Sequence, residues 1–202
     1  MSGELFKCGY GAILQEDVDV LEKCLFELLN AGSLSAFDGV NVLEIGMHDG
    51  GTAKGIESYV AKWCRPLAYY GIDPDDGTTR PRYVPANGKV IIGDSAEVFN
   101  QVPEGLDLVW VDGCHCQNHV MLDTIHYAPK VRVGGFICYH DINPSGQGCE
   151  HQYHGPDIPE FGLAVLMALE AIKFPWPNWE FFAEKYTLEV HNCGTRAYRR
   201  IS

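Results

Sequence analysis

The chain has no apolar run approaching the roughly twenty residues that cross a bilayer, and its start, Met1-Ser2-Gly3-Glu4, lacks the basic-then-apolar layout of a secretory leader. Basic clusters are equally scarce. Beyond Arg196, Arg199 and Arg200 the cations are dispersed, and a formal charge of −12 repels a phosphate backbone, which disfavours a nucleic-acid substrate. These absences point to a soluble, cytoplasmic protein that acts on a small molecule. Cysteine is plentiful at eight residues, but the two-residue spacing of common zinc and redox pairs is missing, and Cys114-x-Cys116 is a poor clasp by that measure. Cys138 falls in a strand expected to be buried, and a core of this size needs no staples, so reduced thiols are the expectation. With 202 residues and 46% hydrophobic content, the chain suits one α/β domain over 1–202, with an N-terminal helical segment at 1–35 packed on the core.

The densest signal is Val42-Leu43-Glu44-Ile45-Gly46-Met47-His48-Asp49-Gly50-Gly51-Thr52, an apolar strand that reaches a carboxylate and then glycines opening a helix. Glycine allows a sharp turn and a close ligand approach, and the following helix presents unpaired N–H groups to the site. By itself this also describes an ordinary strand-to-helix turn with Glu44 as a solvated charge. Four more apolar runs repeat the theme, ending at Asp73, at Asp94-Ser95, at Asp112-Gly113 and at His140-Asp141. Runs that each close on an acid and are separated by helix-length sequence predict a parallel sheet whose carboxyl edge carries a nucleoside site.

Helices are expected at 17–31, where Val20, Leu21, Cys24, Leu25, Leu28 and Leu29 recur at helical spacing, and at 52–63, 95–102, 117–128 and 161–173. The first should pack over one edge of the sheet, and Ser95 is able to cap the third. Residues 142–159, with Asn-Pro-Ser-Gly-Gln-Gly and Gly-Pro-Asp-Ile-Pro, have no periodicity and continue the fifth strand, so they read as a lid over the site. Residues 179–191 and 195–201, joined by Asn192-Cys193-Gly194, read as a hairpin that adds antiparallel strands.

The motifs Asp112-Gly113-Cys114-His115 and Gly134-Gly135 followed by His140-Asp141 resemble those of the class I S-adenosylmethionine-dependent methyltransferases, in the small-molecule branch with Asp-Gly-x-His and His-Asp signatures. The resemblance covers about residues 40–201. It implies a Rossmann-like, mostly parallel sheet with helices on both faces and a C-terminal antiparallel hairpin. It places the methionine part of S-adenosylmethionine beside Glu44, Gly46 and the loop of Met47, His48, Gly51 and Thr52. Asp73 would take the ribose hydroxyls, Asp94 and Ser95 would flank the adenine, and Asp112 would border the cofactor. The chain departs from the family at Gln117, where an aromatic residue is frequent, and at His48 and Asp49 in the glycine loop.

Methyl transfer from a sulfonium needs alignment, exclusion of water and removal of the acceptor's proton. Asp112 and Asp141 are hard oxygen donors on strands expected to be neighbours, which suits magnesium or manganese, with His140 as a further ligand or its supporting partner. His115 reads as a general base or ligand. His48, His151 and His154 are sent to the same edge, and His119 lies one helical turn beyond His115. His126 and His191 read as ordinary hydrogen-bonded residues. Cys149, His151 and His154 offer donors for a softer ion such as zinc.

The reading is therefore an O-methyltransferase acting on a small hydroxylated acceptor, a sugar or a phenol, with homo-oligomerisation left open. Two alternatives stand beside it: a non-catalytic cofactor-binding protein, and a nicotinamide-dependent dehydrogenase, favoured by an acid about twenty residues after a glycine loop. Against the dehydrogenase, the loop is Gly-x-x-x-Gly-Gly and not Gly-x-Gly-x-x-Gly.

Overall fold

A computed structural model describes residues 15–30, 39–78, 81–143, 161–186 and 194–202. Most of the expected lid, together with Cys149, His151, His154 and His191, lies outside the described residues, as do 1–14 of the N-terminal segment. The strands are β1 Val40–Ile45, β2 Leu67–Asp73, β3 Gly88–Ile92, β4 Leu106–Val111, β5 Val131–His140, β6 Trp179–Lys185 and β7 Thr195–Arg200. They form one sheet in the order β3-β2-β1-β4-β5-β7-β6. The first five strands are parallel, and β7 joins β5 and β6 antiparallel to both, as the expected hairpin requires.

Alternation of side chains assigns each strand residue to a face. Val40 and Val42 of β1, Leu108 and Trp110 of β4, and Phe136 and Cys138 of β5 pack under α1 (Gln15–Asn30) and α2 (Gly51–Lys62). Leu43, Ile45, Val109, Val111, Ile137 and Tyr139 lie on the opposite face with buried residues of α3 (Ser95–Val98), α4 (Gln117–Tyr127) and α5 (Phe161–Ala171). Both faces are covered, so the central strands are nearly continuous apolar runs. Each fully buried Leu or Ile contributes about 1.5–3 kcal/mol. α1 lies over β5, β7 and β6 and so covers the antiparallel side of the sheet.

Some local details differ from expectation. The expected helix over 95–102 is α-helical only to Val98 and continues as a 3₁₀ turn, Phe99–Gln101. Its cap is Asp94, whose Oδ1 accepts from Ala96 N at 2.9 Å, and not Ser95. A carboxylate one residue earlier has the extended backbone that a capping position needs.

Strand order reverses between β1 and β4, the place where an open α/β sheet forms a crevice at its carboxyl edge. There the β1 turn is pressed against the β4 turn. Gly46 has φ +86°, and a Cβ on it would stand 2.2 Å from the Asp112 carbonyl oxygen. Gly50, at φ +78°, is closed in the same way by the Tyr83 carbonyl. These two glycines are required by close packing of the protein's own backbone.

Candidate functional site

Parity along the strands explains which side chains meet. Glu44 follows Val42, Asp112 follows Trp110, and His140 follows Cys138, so all three continue the face covered by α1 and α2. His140 is thereby directed to α1, where Asp17 is fully buried. Its Nε2 lies 3.2 Å from Asp17 Oδ2, and its Nδ1 lies 2.8 Å from Asp112 Oδ1 and 3.4 Å from Asp141 Oδ2. The Thr195 hydroxyl donates to Asp17 Oδ1 at 2.8 Å and fixes that carboxylate from β7.

His115 enters from the turn after β4. Its Nε2 is 3.1 Å from Asp141 Oδ2 and 3.4 Å from Asp112 Oδ1. The Trp110 indole donates to Asp112 Oδ2 at 3.3 Å. Asp141 has φ +55°, a left-handed conformation that aspartate tolerates better than most residues. Asp112, His115, His140 and Asp141 each present a donor atom within 4.8 Å of the others.

Electrostatics bind the group together. Burial alone would lower the His140 pKa, but Asp112 and Asp141 outweigh it and raise the value well above that of an ordinary imidazole. Burial likewise pushes Asp112 up and is outweighed by His140 and His115, which hold it below the usual carboxylate value. Short as its contacts are, neither ring nitrogen of His140 makes a well-aligned hydrogen bond.

The remaining expected residues are placed less uniformly. Glu44 is buried, 1% exposed, and takes a hydrogen bond from the Tyr69 hydroxyl, so it is no solvated strand-end charge. Burial pushes its pKa up to about 8, against the pull of Tyr69 and with added repulsion from Asp112. An acid with a raised folded-state pKa supports stability below its unfolded value, about 4.5, and loses that support as pH rises through 8. Glu44→Gln is therefore expected to gain thermal stability relative to wild type between pH 5 and pH 8. A difference in melting temperature that stays flat across that range would show that Glu44 is ionised in the fold.

Asp73 accepts from His48 N at 2.9 Å and Asp75 N at 2.8 Å, with Arg82 Nη2 3.6 Å away. Thr52 is buried in the first turn of α2, and Gly51 N donates to Asp49 Oδ1 at 3.0 Å. The Met47 side chain is turned into the core against Gly71, which leaves its backbone toward the crevice. His48 is exposed beside Asp49, at 3.7 Å, and does not join the histidine cluster. His126 stacks on Phe99 with ring centroids 4.0 Å apart, as an ordinary residue would.

His119 also leaves the expected cluster. Its Nδ1 is 3.0 Å from Cys116 Sγ and its Nε2 is 3.3 Å from Asp94 Oδ2. Ser95 stands beside these groups, and its backbone carbonyl accepts from the Tyr127 hydroxyl at 2.6 Å.

Two buried acids near the site went unread in the sequence, and both had a signal. Asp17 is in helical register with Leu21, Cys24 and Leu28, and Asp123 with Val120, Thr124 and Tyr127, so each acid sits on a buried face. Neither Asp123 oxygen has a well-formed hydrogen bond, and burial pushes its pKa up to about 7 against the opposing effect of Ser95 and His119.

Residues 43–142 match a family model described as a methyltransferase domain. Among solved structures, the MycE methyltransferase of the mycinamycin biosynthetic pathway, in complex with Mg, SAH and mycinamycin VI, aligns with TM-score 0.62 at 20% identity. That alignment covers 98% of this chain and 52% of MycE, so the chain spans about half of that protein's length. The O-methyltransferase TomG of Streptomyces achromogenes, involved in tomaymycin synthesis and in complex with SAM, aligns with TM-score 0.62 at 12% identity, covering 90% of this chain and 78% of its own. An SAH-bound methyltransferase of Podospora anserina aligns with TM-score 0.57 at 14% identity, covering 80% and 72%. Likenesses at these identities establish the fold. No curated protein sequence matches the chain.

Proposed function

We propose that the chain is a class I S-adenosylmethionine-dependent methyltransferase, a reading supported by the methyltransferase-domain match over residues 43–142 and by the shared fold, and that it methylates a hydroxyl of a small acceptor, a sugar or a phenol. The observation that carries this reading is the convergence of Asp112, His115, His140 and Asp141 at the crevice between β1 and β4. Bound S-adenosylmethionine would supply an activated methyl group to the acceptor oxygen, its carbon–sulfur bond breaking to leave a neutral thioether. His115 takes the hydroxyl proton, and Asp112 and Asp141, at 3.4 and 3.1 Å from its Nε2, stabilise the resulting imidazolium.

The donor set also fits a divalent ion. Asp112 and Asp141 are hard oxygen donors, and the other nitrogen of His140 faces Asp17, the arrangement in which a carboxylate orients a metal-binding imidazole. Magnesium or manganese bound by Asp112, Asp141 and His140 would lower the acceptor hydroxyl's pKa and fix its approach. Because the raised pKa of His140 keeps a proton on this cluster, metal affinity is expected to fall as pH falls.

For the cofactor, the reading assigns the methionine end to the backbone of Gly46, Met47, His48 and Gly51 and the first turn of α2 at Thr52, the ribose to Asp73, and the adenine to Asp94 and Ser95. Glu44 supports this loop from beneath through Tyr69 and Thr52. Calorimetry tests the assignment: S-adenosylmethionine should bind and NAD should not, and Asp73→Ala should weaken binding about tenfold to a hundredfold, the value of one charge-assisted contact. Asp73→Asn, which keeps an acceptor for one of the two backbone N–H groups, should fall between. Unchanged affinity in both variants would remove Asp73 from the cofactor site. Binding without conversion to S-adenosylhomocysteine across a library of hydroxylated acceptors would favour a non-catalytic cofactor-binding protein.

A further inference from the structure

Beside the crevice, but outside the carboxylate and histidine cluster, the turn between β4 and α4 gathers a second donor set. Cys114, Cys116 and His119 each present one ligand atom within 4.8 Å of the others. Cys116 is the residue that precedes α4, and His119 lies in its first turn, so one reversal of the chain brings the pair to 3.0 Å. We propose that these three residues bind a zinc-like ion, at a site chemically distinct from the hard-ion cluster of Asp112 and Asp141.

Several physical features agree. Thiolate and imidazole donors select zinc and its relatives over magnesium. With bonds of about 2.3 Å to sulfur and 2.0–2.1 Å to nitrogen, tetrahedral binding places sulfur and nitrogen about 3.5 Å apart, half an ångström wider than the contact seen here. A small rotation of half-buried side chains supplies that. The second nitrogen of His119 faces Asp94 Oδ2 at 3.3 Å, which fixes Nδ1 as the lone-pair nitrogen, the carboxylate–histidine pairing typical of metal-binding imidazoles. Two thiolates and one imidazole around a dication give a neutral centre, so the positive end of the α4 dipole does not oppose it. The neighbouring Asp123 is fully buried without a well-formed hydrogen bond, and its charge acts on Cys114 and His119. A cation next to it relieves that buried acid.

The consequence is a turn pinned by a metal between two functional stretches: Asp112 and His115 belong to it, and Asp94 stands across from it. An ion here would set the position of those side chains without touching the acceptor.

The test is a cobalt(II) titration of the reduced, chelator-treated full chain, read by thiolate-to-cobalt charge-transfer absorption in the near ultraviolet, which carboxylate sites do not give. The expected result is a band that saturates at one equivalent. Excess magnesium should leave it in place, and zinc should abolish it. The band should persist in Asp112→Asn and in Cys64→Ser, weaken at least tenfold in affinity in His119→Ala, and vanish in the double variant Cys114→Ser, Cys116→Ser. Absence of the band in wild type, or its survival in that double variant, would overturn the proposal. Should the serine variant lose its circular-dichroism spectrum, X-ray absorption on zinc-loaded wild type decides the matter: two sulfurs at about 2.3 Å support the site, and a shell of oxygen and nitrogen alone refutes it.

Discussion

Asp112→Asn is expected to reduce turnover by about two to four orders of magnitude, the range lost when acid–base machinery is disabled, with the fold kept. Asparagine retains the shape and an acceptor for the Trp110 indole, so packing around β4 changes little. What disappears is the charge that stands 2.8 Å from His140 and 3.4 Å from His115. On the proposed reaction, the protonated form of His115 then loses one of its two stabilising carboxylates, and the divalent ion loses a ligand. Initial rates of S-adenosylhomocysteine formation check this, run before and after exhaustive chelation. Magnesium or manganese should restore chelated wild type and leave Asp112→Asn inactive. If wild type survives chelation but fails as His115→Ala, the cluster works as a protein base without a metal. Full turnover in Asp112→Asn, Asp141→Asn and His115→Ala would end the catalytic assignment.

The largest expected loss of stability comes from a residue on α1. Asp17→Ala should destabilise the protein by about 3–5 kcal/mol, because it breaks a buried ion pair and takes the carboxylate from the Nε2 side of His140, while Asp112 and Asp141 remain at its Nδ1. For a chain of this size that corresponds to a fall in melting temperature of roughly 6–20 °C. Asp17 is fully buried and His140 only 4% exposed, so water cannot replace the lost contact, and Thr195 loses its acceptor as well. The deficit should depend on pH. The folded-state pKa of His140 is raised, so the stability its charge confers is complete below about 6.5 and lost as pH rises through the folded value. The variant should therefore trail wild type most at pH 6 and least at strongly alkaline pH. A deficit that does not change across that range would mean that Asp112 and Asp141 hold the His140 charge without help from Asp17.

The sheet was legible because its information is local. Each central strand is a run of apolar residues that closes on an acid, and those ends lie at the carboxyl edge as the pattern required. Asp112, His115, His140 and Asp141 were readable for the same reason, since strand ends in a parallel sheet converge whatever the loops do. Partners set by tertiary packing were not. In the sequence Asp17 stands among Glu16, Asp19 and Glu22, and only its register with the leucines of α1 sets it apart. His119 was expected beside His115. One turn of helix instead swings it to Cys116 and Asp94, so Cys114-x-Cys116, a poor clasp by spacing, acquires a third donor. The glycines of the β1 loop were read as clearance for a ligand, whereas Gly46 makes room first for the Asp112 backbone.

The tie between α1 and β7 also bears on the order in which the molecule is assembled. Asp17 and Thr195 are 178 residues apart in the chain, and β7 enters the sheet between β5 and β6. During synthesis α1 leaves the ribosome well before β7, so its buried acid has no hydroxyl to hold until that strand has emerged. Contacts of such long range form late, after the cost of closing the intervening loop has been met. Until then β5 has an open edge, Asp17 is not held against His140 by the Thr195 hydroxyl, and the nascent chain has a half-built sheet that other chains can pair with. The residues that orient His140 thus also mark the stage at which the edge of β5 is covered.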